Sequence, residues 1–274
     1  MLSQGRARSN DRASGARSEP QASEVHQAWR ANRAGSCEVR PRAERFPVVT
    51  ARGLALRVAL GIVVASVVPI AILRVVPPVT SAFMLAKQWP LARGDDACDR
   101  VDYQWVPRRS ISQHVFRAVI AAEDQRFAEH AGFDFGAMRD AIEEAGKKKR
   151  GRSRGASTIS QQVAKNLLLW SGHNFVRKGL EAWLTLWIEA LWPKARILEV
   201  YVNIAQFGRC TFGVGAASRT FFHARPASLS LEQASLLAAV LPNPVERRVD
   251  APDRRVRARA AWIARQAGRV EVPR

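Results

Sequence analysis

The sequence is poor in the residues that staple or metallate small folds, with three cysteines and five histidines in 274 residues. That excludes a disulfide-dense scaffold and a four-cysteine zinc site. His114, His130, His173 and His223 show no metal-ligand spacing, and each reads as a packed or surface histidine. Acids are scarce too: 24 Asp+Glu stand against 43 Lys+Arg, a formal net charge of +19. Such an excess asks for an anionic partner, whether nucleic acid, an anionic membrane surface or a phosphorylated substrate. Strand signals are sparse, Val101 to Val106 being the best, and no internal repeat is present. There is no Gly-Lys-Thr/Ser ending of a phosphate-binding loop. What the chain does have is 47% hydrophobic residues and enough length for one or two domains.

Composition shifts along the chain. Residues 1–53 are rich in Arg, Ala, Ser and Gly without helical periodicity; up to Arg57 there are 11 Arg, no Lys and five acids. This stretch reads as a disordered basic tail, part of which an over-extended gene start could account for. Sixteen uncharged residues follow from Val58 to Leu73, then Arg74, then a second uncharged run from Val75 to Ala86. With Arg57 and Arg74 snorkelling, residues 54–76 supply the ~20 residues that cross a bilayer. A buried core helix is the alternative. Pro69 predicts a kink, and Pro77-Pro78 ends the helix. The Arg-rich flank places the N-terminus in the cytoplasm and the remainder on the outer side. After a polar linker (Lys87 to Arg100), apolar spacing predicts helices over Ile111–His130, Ser157–Trp170, Arg177–Trp192, Ala195–Ala205, Gly215–Phe222 and Leu231–Leu241. The fold class is mainly α. Domain limits of 87–245 are expected, with a basic, partly helical tail over 246–274.

Four constellations can carry chemistry. In Glu123-Asp124-Gln125-Arg126-Phe127, followed by His130, Gly132, Phe133 and Asp134, helical spacing sets Glu123 on one face with Phe116, Ile120 and Phe127. A carboxylate against such a wall has its pKa raised toward neutrality; a solvated helix edge is the bland alternative. In Gly155-Ala156-Ser157-Thr158-Ile159-Ser160-Gln161-Gln162, then Lys165-Asn166, a helix start offers N–H groups and hydroxyls to an anion, or is an ordinary cap behind a solvated basic loop (Lys147 to Arg154). Arg177 and Glu181, with Lys178 between them, are i, i+4 partners. In Glu199-x-Tyr201-x-Asn203, with Phe207-Gly208, Gly213 and Gly215, the pattern suits helix packing closed by a Gly-rich turn. Cys98 and Cys210 would share the oxidising side, so a disulfide between them is open to the chain; Cys37 would be cytoplasmic.

The order of these blocks is more specific than any one of them. Read as ED-x-x-F-x-x-H-x-G-F-D, G-A-S-T-I-x-Q-Q-x-x-K-N, R-K-x-x-E, I-L-E-x-Y-x-N and A-x-L-L-A-A-V-L-P-N-P, from about Val101 to Pro244, the series resembles the peptidoglycan glycosyltransferase family. With one span and no Ser-x-x-Lys or Lys-Thr-Gly motif, it is similar to the family's monofunctional form rather than to bifunctional penicillin-binding proteins. The resemblance implies a lysozyme-like, mainly α domain with a small membrane-contacting subdomain behind one transmembrane helix. It implies polymerisation of lipid II into β-1,4 glycan strands with release of undecaprenyl diphosphate, at the bacterial inner membrane with the catalytic domain periplasmic. Glu123 resembles the family's catalytic base and Glu181 its second glutamate. Lys165 and Arg177 resemble diphosphate-binding residues, and Ser157, Thr158, Gln161, Gln162, Asp124, Lys178 and Asn166 match positions around the same cleft. The implied partners are lipid II, the growing glycan strand, the membrane and proteins of cell wall synthesis or division. A Mg or Mn ion at the diphosphate is compatible, though no metal motif is present. One departure stands out: where many members carry an Arg, this chain reads Ser171-Gly172-His173-Asn174, so Arg152 or Arg154 would have to cover that cation or phosphate binding weakens. A lytic glycan-cleaving enzyme and an inactive lipid II-binding protein are the alternatives. A nucleic-acid binder would need a basic, aromatic-interleaved face or a recognisable module, and neither is present.

Overall fold

A computed structural model describes residues 51–89, 97–147, 157–172 and 174–274. The tail before residue 51, residues 90–96 of the linker, residues 148–156 of the basic loop with Arg152 and Arg154, and His173 lie outside the described residues.

The first described element is α1, Ala51–Leu73, which continues through Pro69. Its 23 residues rise about 34 Å, and the helix is long and apolar enough to cross a membrane, with little of it buried against the protein. Its C-terminal end is docked. The Arg196 guanidinium donates to the Leu73 carbonyl (2.9 Å) and the Val76 carbonyl (2.9 Å), and Trp192 Nε1 donates to the Ile70 carbonyl (2.7 Å). A cation on carbonyls that have no partner within the helix is favourable both as hydrogen bonding and against the helix dipole. Further up, Trp183 Nε1 donates to Ser66 Oγ (3.1 Å).

A short helix, α2 (Ala82–Gln88), follows within the uncharged run and at the edge of the stretch expected to be linker; it buries Met84 and is capped by Ser81. The strand signal at 101–106 becomes only β1, Asp102–Tyr103, which pairs in parallel with β2, Thr211–Phe212. The bridge left open by the sequence is made: Cys98 and Cys210 are bonded, their Cα atoms 5.8 Å apart and 112 residues apart in sequence.

The remaining helices are α3 (Gln113–Glu123), α4 (Phe135–Lys147), α5 (Ile159–Leu168), α6 (Phe175–Leu191), α7 (Lys194–Ile204), α8 (Gly213–Phe222), α9 (Leu231–Val240) and α10 (Arg254–Gln266). The chain is mainly helical, consistent with a lysozyme-like domain. The helix expected over 111–130 stops at Glu123, and α4 is a helix beyond those expected. The C-terminal basic stretch holds α10, which packs on α9 and α3 through buried Val256 and Ile263.

α7 is the centre of the core. Ile197, Leu198, Val200, Tyr201, Val202, Asn203 and Ile204 are all buried, as expected of a helix surrounded by others. It packs on α5, α8, α3 and α6. The Asn203 side chain, fully buried, accepts from the Val106 N–H (2.8 Å) and donates to the Val106 and Glu199 carbonyls (2.9 Å each). It thereby joins the chain after β1 to α7. Gly213, at φ +77, lies so close that an added Cβ would stand 2.3 Å from the Asn203 carbonyl oxygen, which accounts for the glycine at this turn.

Asn203→Ala leaves the Val106 N–H and C=O without their buried partner. We expect a loss of about 3 kcal/mol of stability, read as a lowered thermal unfolding transition of the full chain in detergent.

Candidate active site

The site begins where α3 ends. Phe116, Val119 and Ile120 bury the helix against the core, and Glu123 is its last residue. Asp124 then leaves the helical conformation (φ −160, ψ 77). Its carboxylate accepts from the Ile159 N–H (3.0 Å) and from His130 Nε2 (2.9 Å). One buried acid thus caps the start of α5 and holds the turn that follows Glu123. Around it, Phe127 is buried, Arg126 pairs with Asp134, and Asp134 accepts from the Ala137 N–H at the start of α4 (2.8 Å).

The start of α5 is a capping box between Thr158 and Gln161, and Thr158 Oγ1 also donates to the Gly132 carbonyl (2.7 Å). Ser160 pairs with Glu189, and Ser157 is exposed. Asp124, Thr158 and Gln161 Oε1 therefore bond within the scaffold and hold the start of α5 beside the turn that follows Glu123.

Beyond the cap, α5 turns its functional side chains to the site. Gln162 Nε2 donates to Glu123 Oε2 (2.9 Å), and Gln162 Oε1 accepts from the buried Tyr201 hydroxyl (3.1 Å). An amide can make both bonds in only one orientation, so Tyr201 fixes Gln162 and Gln162 fixes Glu123. Burial pushes the Glu123 carboxyl above the ordinary carboxylate range, opposed by the Gln162 bond and by the Arg259 and Lys165 charges.

Lys165, one turn along α5, has its ammonium 5.6 Å from the Phe83 ring centroid, within cation–π range. Burial lowers its pKa; Glu181 and Glu123 act to raise it, while Arg177 and Lys178 lower it. These charges belong to one cluster. On α6, Arg177 Nη1 donates to Glu181 Oε2 (2.9 Å), Lys178 pairs with the other Glu181 oxygen, and Arg177 and Glu181 are both buried. Among the described residues, Arg177 Nε and Asn166 Oδ1 are buried without a hydrogen-bond partner. No group of three or more metal-ligating side chains occurs among the described residues.

Sequence reasoning missed three contributors. Phe83 comes from α2, a seven-residue helix inside a featureless apolar run. Tyr201 was in a motif without an assigned role. Arg259 lies in α10, and its guanidinium donates to the Ala122 carbonyl (3.2 Å) with Glu123 Oε1 at 3.5 Å. Its position on the inward side of an Arg-rich helix was the only available signal.

A transglycosylase family profile matches residues 93–268. The chain belongs to the transglycosylase family. It is 48% identical over 220 residues to a biosynthetic peptidoglycan transglycosylase of Salmonella typhimurium, covering 80% of this chain and 90% of that one. The namesake of Haemophilus influenzae is 50% identical over 197 residues (72% and 80%), and that of Stutzerimonas stutzeri 48% over 218 residues (78% and 89%). The family match extends over α10, so the helix that brings Arg259 to Glu123 lies inside it.

Asp124→Ala would strip the Ile159 N–H and His130 of a buried acceptor. A destabilisation of about 3 kcal/mol is expected, visible as a lowered unfolding midpoint even without substrate.

Proposed function

We propose that the protein is a peptidoglycan glycosyltransferase that polymerises lipid II into β-1,4 glycan strands and releases undecaprenyl diphosphate. The observation that carries this reading is a buried carboxylate, Glu123, beside a cluster of three cations, Lys165, Arg177 and Lys178. A glycosyl transfer that expels a diphosphate needs a base at one end of the reacting bonds and positive charge at the other. Glu123 takes the proton of the acceptor sugar's 4-hydroxyl as that oxygen bonds to the anomeric carbon of the donor. The bond from that carbon to the diphosphate oxygen breaks on the opposite face, which inverts the α-linked phosphate to a β-glycoside. Lys165, Arg177 and Lys178 take the developing charge of the leaving diphosphate. Glu181 holds Arg177 and Lys178 in place.

The same residues do not make a metal site. Glu181 is engaged by Arg177 and Lys178, and Glu123 by Gln162 and Arg259. A Mg or Mn ion would come with the diphosphate oxygens, where it would add positive charge to the leaving group.

The proposal places the domain on the periplasmic face of the inner membrane, with the N-terminus cytoplasmic. Two features support this: the Arg-rich flank before α1, and the Cys98–Cys210 bridge, which persists in an oxidising compartment. α6 exposes Phe175, Val176, Leu180 and Leu186, and α4 exposes Phe135, Met138 and Ile142. Lipid is the occupant this reading assigns to the face of α6, which Trp183 ties to a helix able to span a bilayer.

Two outcomes are expected of a lipid II polymerisation assay. Glu123→Gln abolishes glycan formation while the unfolding transition is kept; retained turnover refutes the base. The pH profile of wild type is bell-shaped and narrowed at both ends. Activity falls below the raised pKa of Glu123, because the base protonates, and above the lowered pKa of Lys165, because the cation is lost. A profile flat from pH 5 to pH 10, on the order of the range those groups ordinarily bracket, contradicts it.

A further inference from the structure

We propose that Arg259, on the C-terminal helix, is a positioning residue for the general base: its guanidinium fixes the Glu123 carboxylate and balances its charge. This inference rests on Glu123 being that base.

The geometry is specific. Gln162 holds Glu123 Oε2, and Arg259 Nη2 stands 3.5 Å from Oε1 while donating to the Ala122 carbonyl. The two carboxylate oxygens are therefore addressed from two helices, α5 and α10. The guanidinium also meets a carbonyl in the last turn of α3, where positive charge is favoured by the helix dipole. α10 is a firm support: Asp253 caps it by accepting from the Val256 N–H (2.7 Å), and Val256 and Ile263 are buried against the core.

The chemistry requires such a group. A carboxylate with its side chain 13% exposed pays for lost hydration by protonating, and a protonated Glu123 is no base. The charged and titratable groups facing it are Asp124 at the end of α3, Lys165 of α5, Tyr201 of α7 and Arg259 of α10. Asp124 works against ionisation, and burial keeps Tyr201 neutral. Lys165 is shared with Glu181 and the diphosphate site. Among the described residues Arg259 is a permanent cation in direct reach of the base, since a guanidinium does not titrate near neutral pH. It limits how far burial raises the Glu123 pKa and keeps the base ionised at working pH.

The test is the pH dependence of lipid II polymerisation by the full chain in detergent, for wild type, Arg259→Lys and Arg259→Ala. Loss of the cation raises the Glu123 pKa, so the acidic limb of Arg259→Ala should move up by about one pH unit. Its deficit should be largest at low pH and shrink as pH rises, and Arg259→Lys should restore most of the limb's position. An acidic limb that stays put overturns the proposal, as does a loss equal at every pH with a lowered unfolding transition, which marks a purely structural role. If wild type makes no glycan at any pH, the functional reading fails instead. The positioning claim is then read by infrared titration of the Glu123 carboxyl, which must shift upward in Arg259→Ala and is refuted if it does not.

Discussion

The site depends on keeping one carboxylate, Glu123, out of water without letting it simply protonate. Burial alone would neutralise it, and full exposure would make it an ordinary, weak base. The fold holds an intermediate state by ending a helix at that residue. α3 delivers Glu123 from an apolar face, and Asp124 immediately turns away to cap α5. The clasp brings Gln162 and Lys165 opposite Glu123, because both lie on the helix that Asp124 has captured. Tyr201, from the central helix α7, orients Gln162 in turn. Thr158 and Gln161 cap the same helix start that Asp124 holds.

A second constraint shapes α6. In a helix of a water-soluble domain the apolar stripe faces inward. Here Arg177, Glu181, Thr185 and Ile188 are the buried positions, while Phe175, Val176, Leu180 and Leu186 face out. The charged stripe faces Lys165 and the candidate site, and the apolar stripe faces outward. Farther along the same helix, Trp183 bonds to α1, with Trp187 edge-on to it at 5.5 Å. The adjoining Trp192 and Arg196 then seal the C-terminal end of α1. One helix thus serves the chemistry inside and the bilayer-length helix outside.

Much of this was legible in the sequence, for physical reasons. Long apolar runs and 3.6-residue spacing identified α1, α5, α6, α7, α8 and α9. The Arg177–Glu181 spacing foretold their pairing, and the apolar neighbours of Glu123 foretold its raised pKa. What was hidden depended on partners distant in sequence. Nothing local says that α3 stops at Glu123, since the stop is made by Asp124 reaching Ile159. α4 was legible but missed: Phe135, Met138 and Ile142 stand at helical spacing, although the structure exposes them. Trp183 and Trp187 of α6 are partly buried, and only the bond from Trp183 to Ser66 shows that α1 lies against that helix. Arg259 looked like one arginine among many in a basic tail, and only the packing of α10 on α3 gives it a distinct role.

Glu123 is a buried acid whose pKa burial raises, and its own titration tests this most directly. Infrared difference spectra of wild type against Glu123→Gln, recorded across pH, isolate the carboxyl band of this residue. The account predicts a protonated carboxyl that persists above the ordinary carboxylate range, past about pH 4.3, and ionises as the enzyme gains activity. A band that disappears at or below the ordinary glutamate value would contradict it.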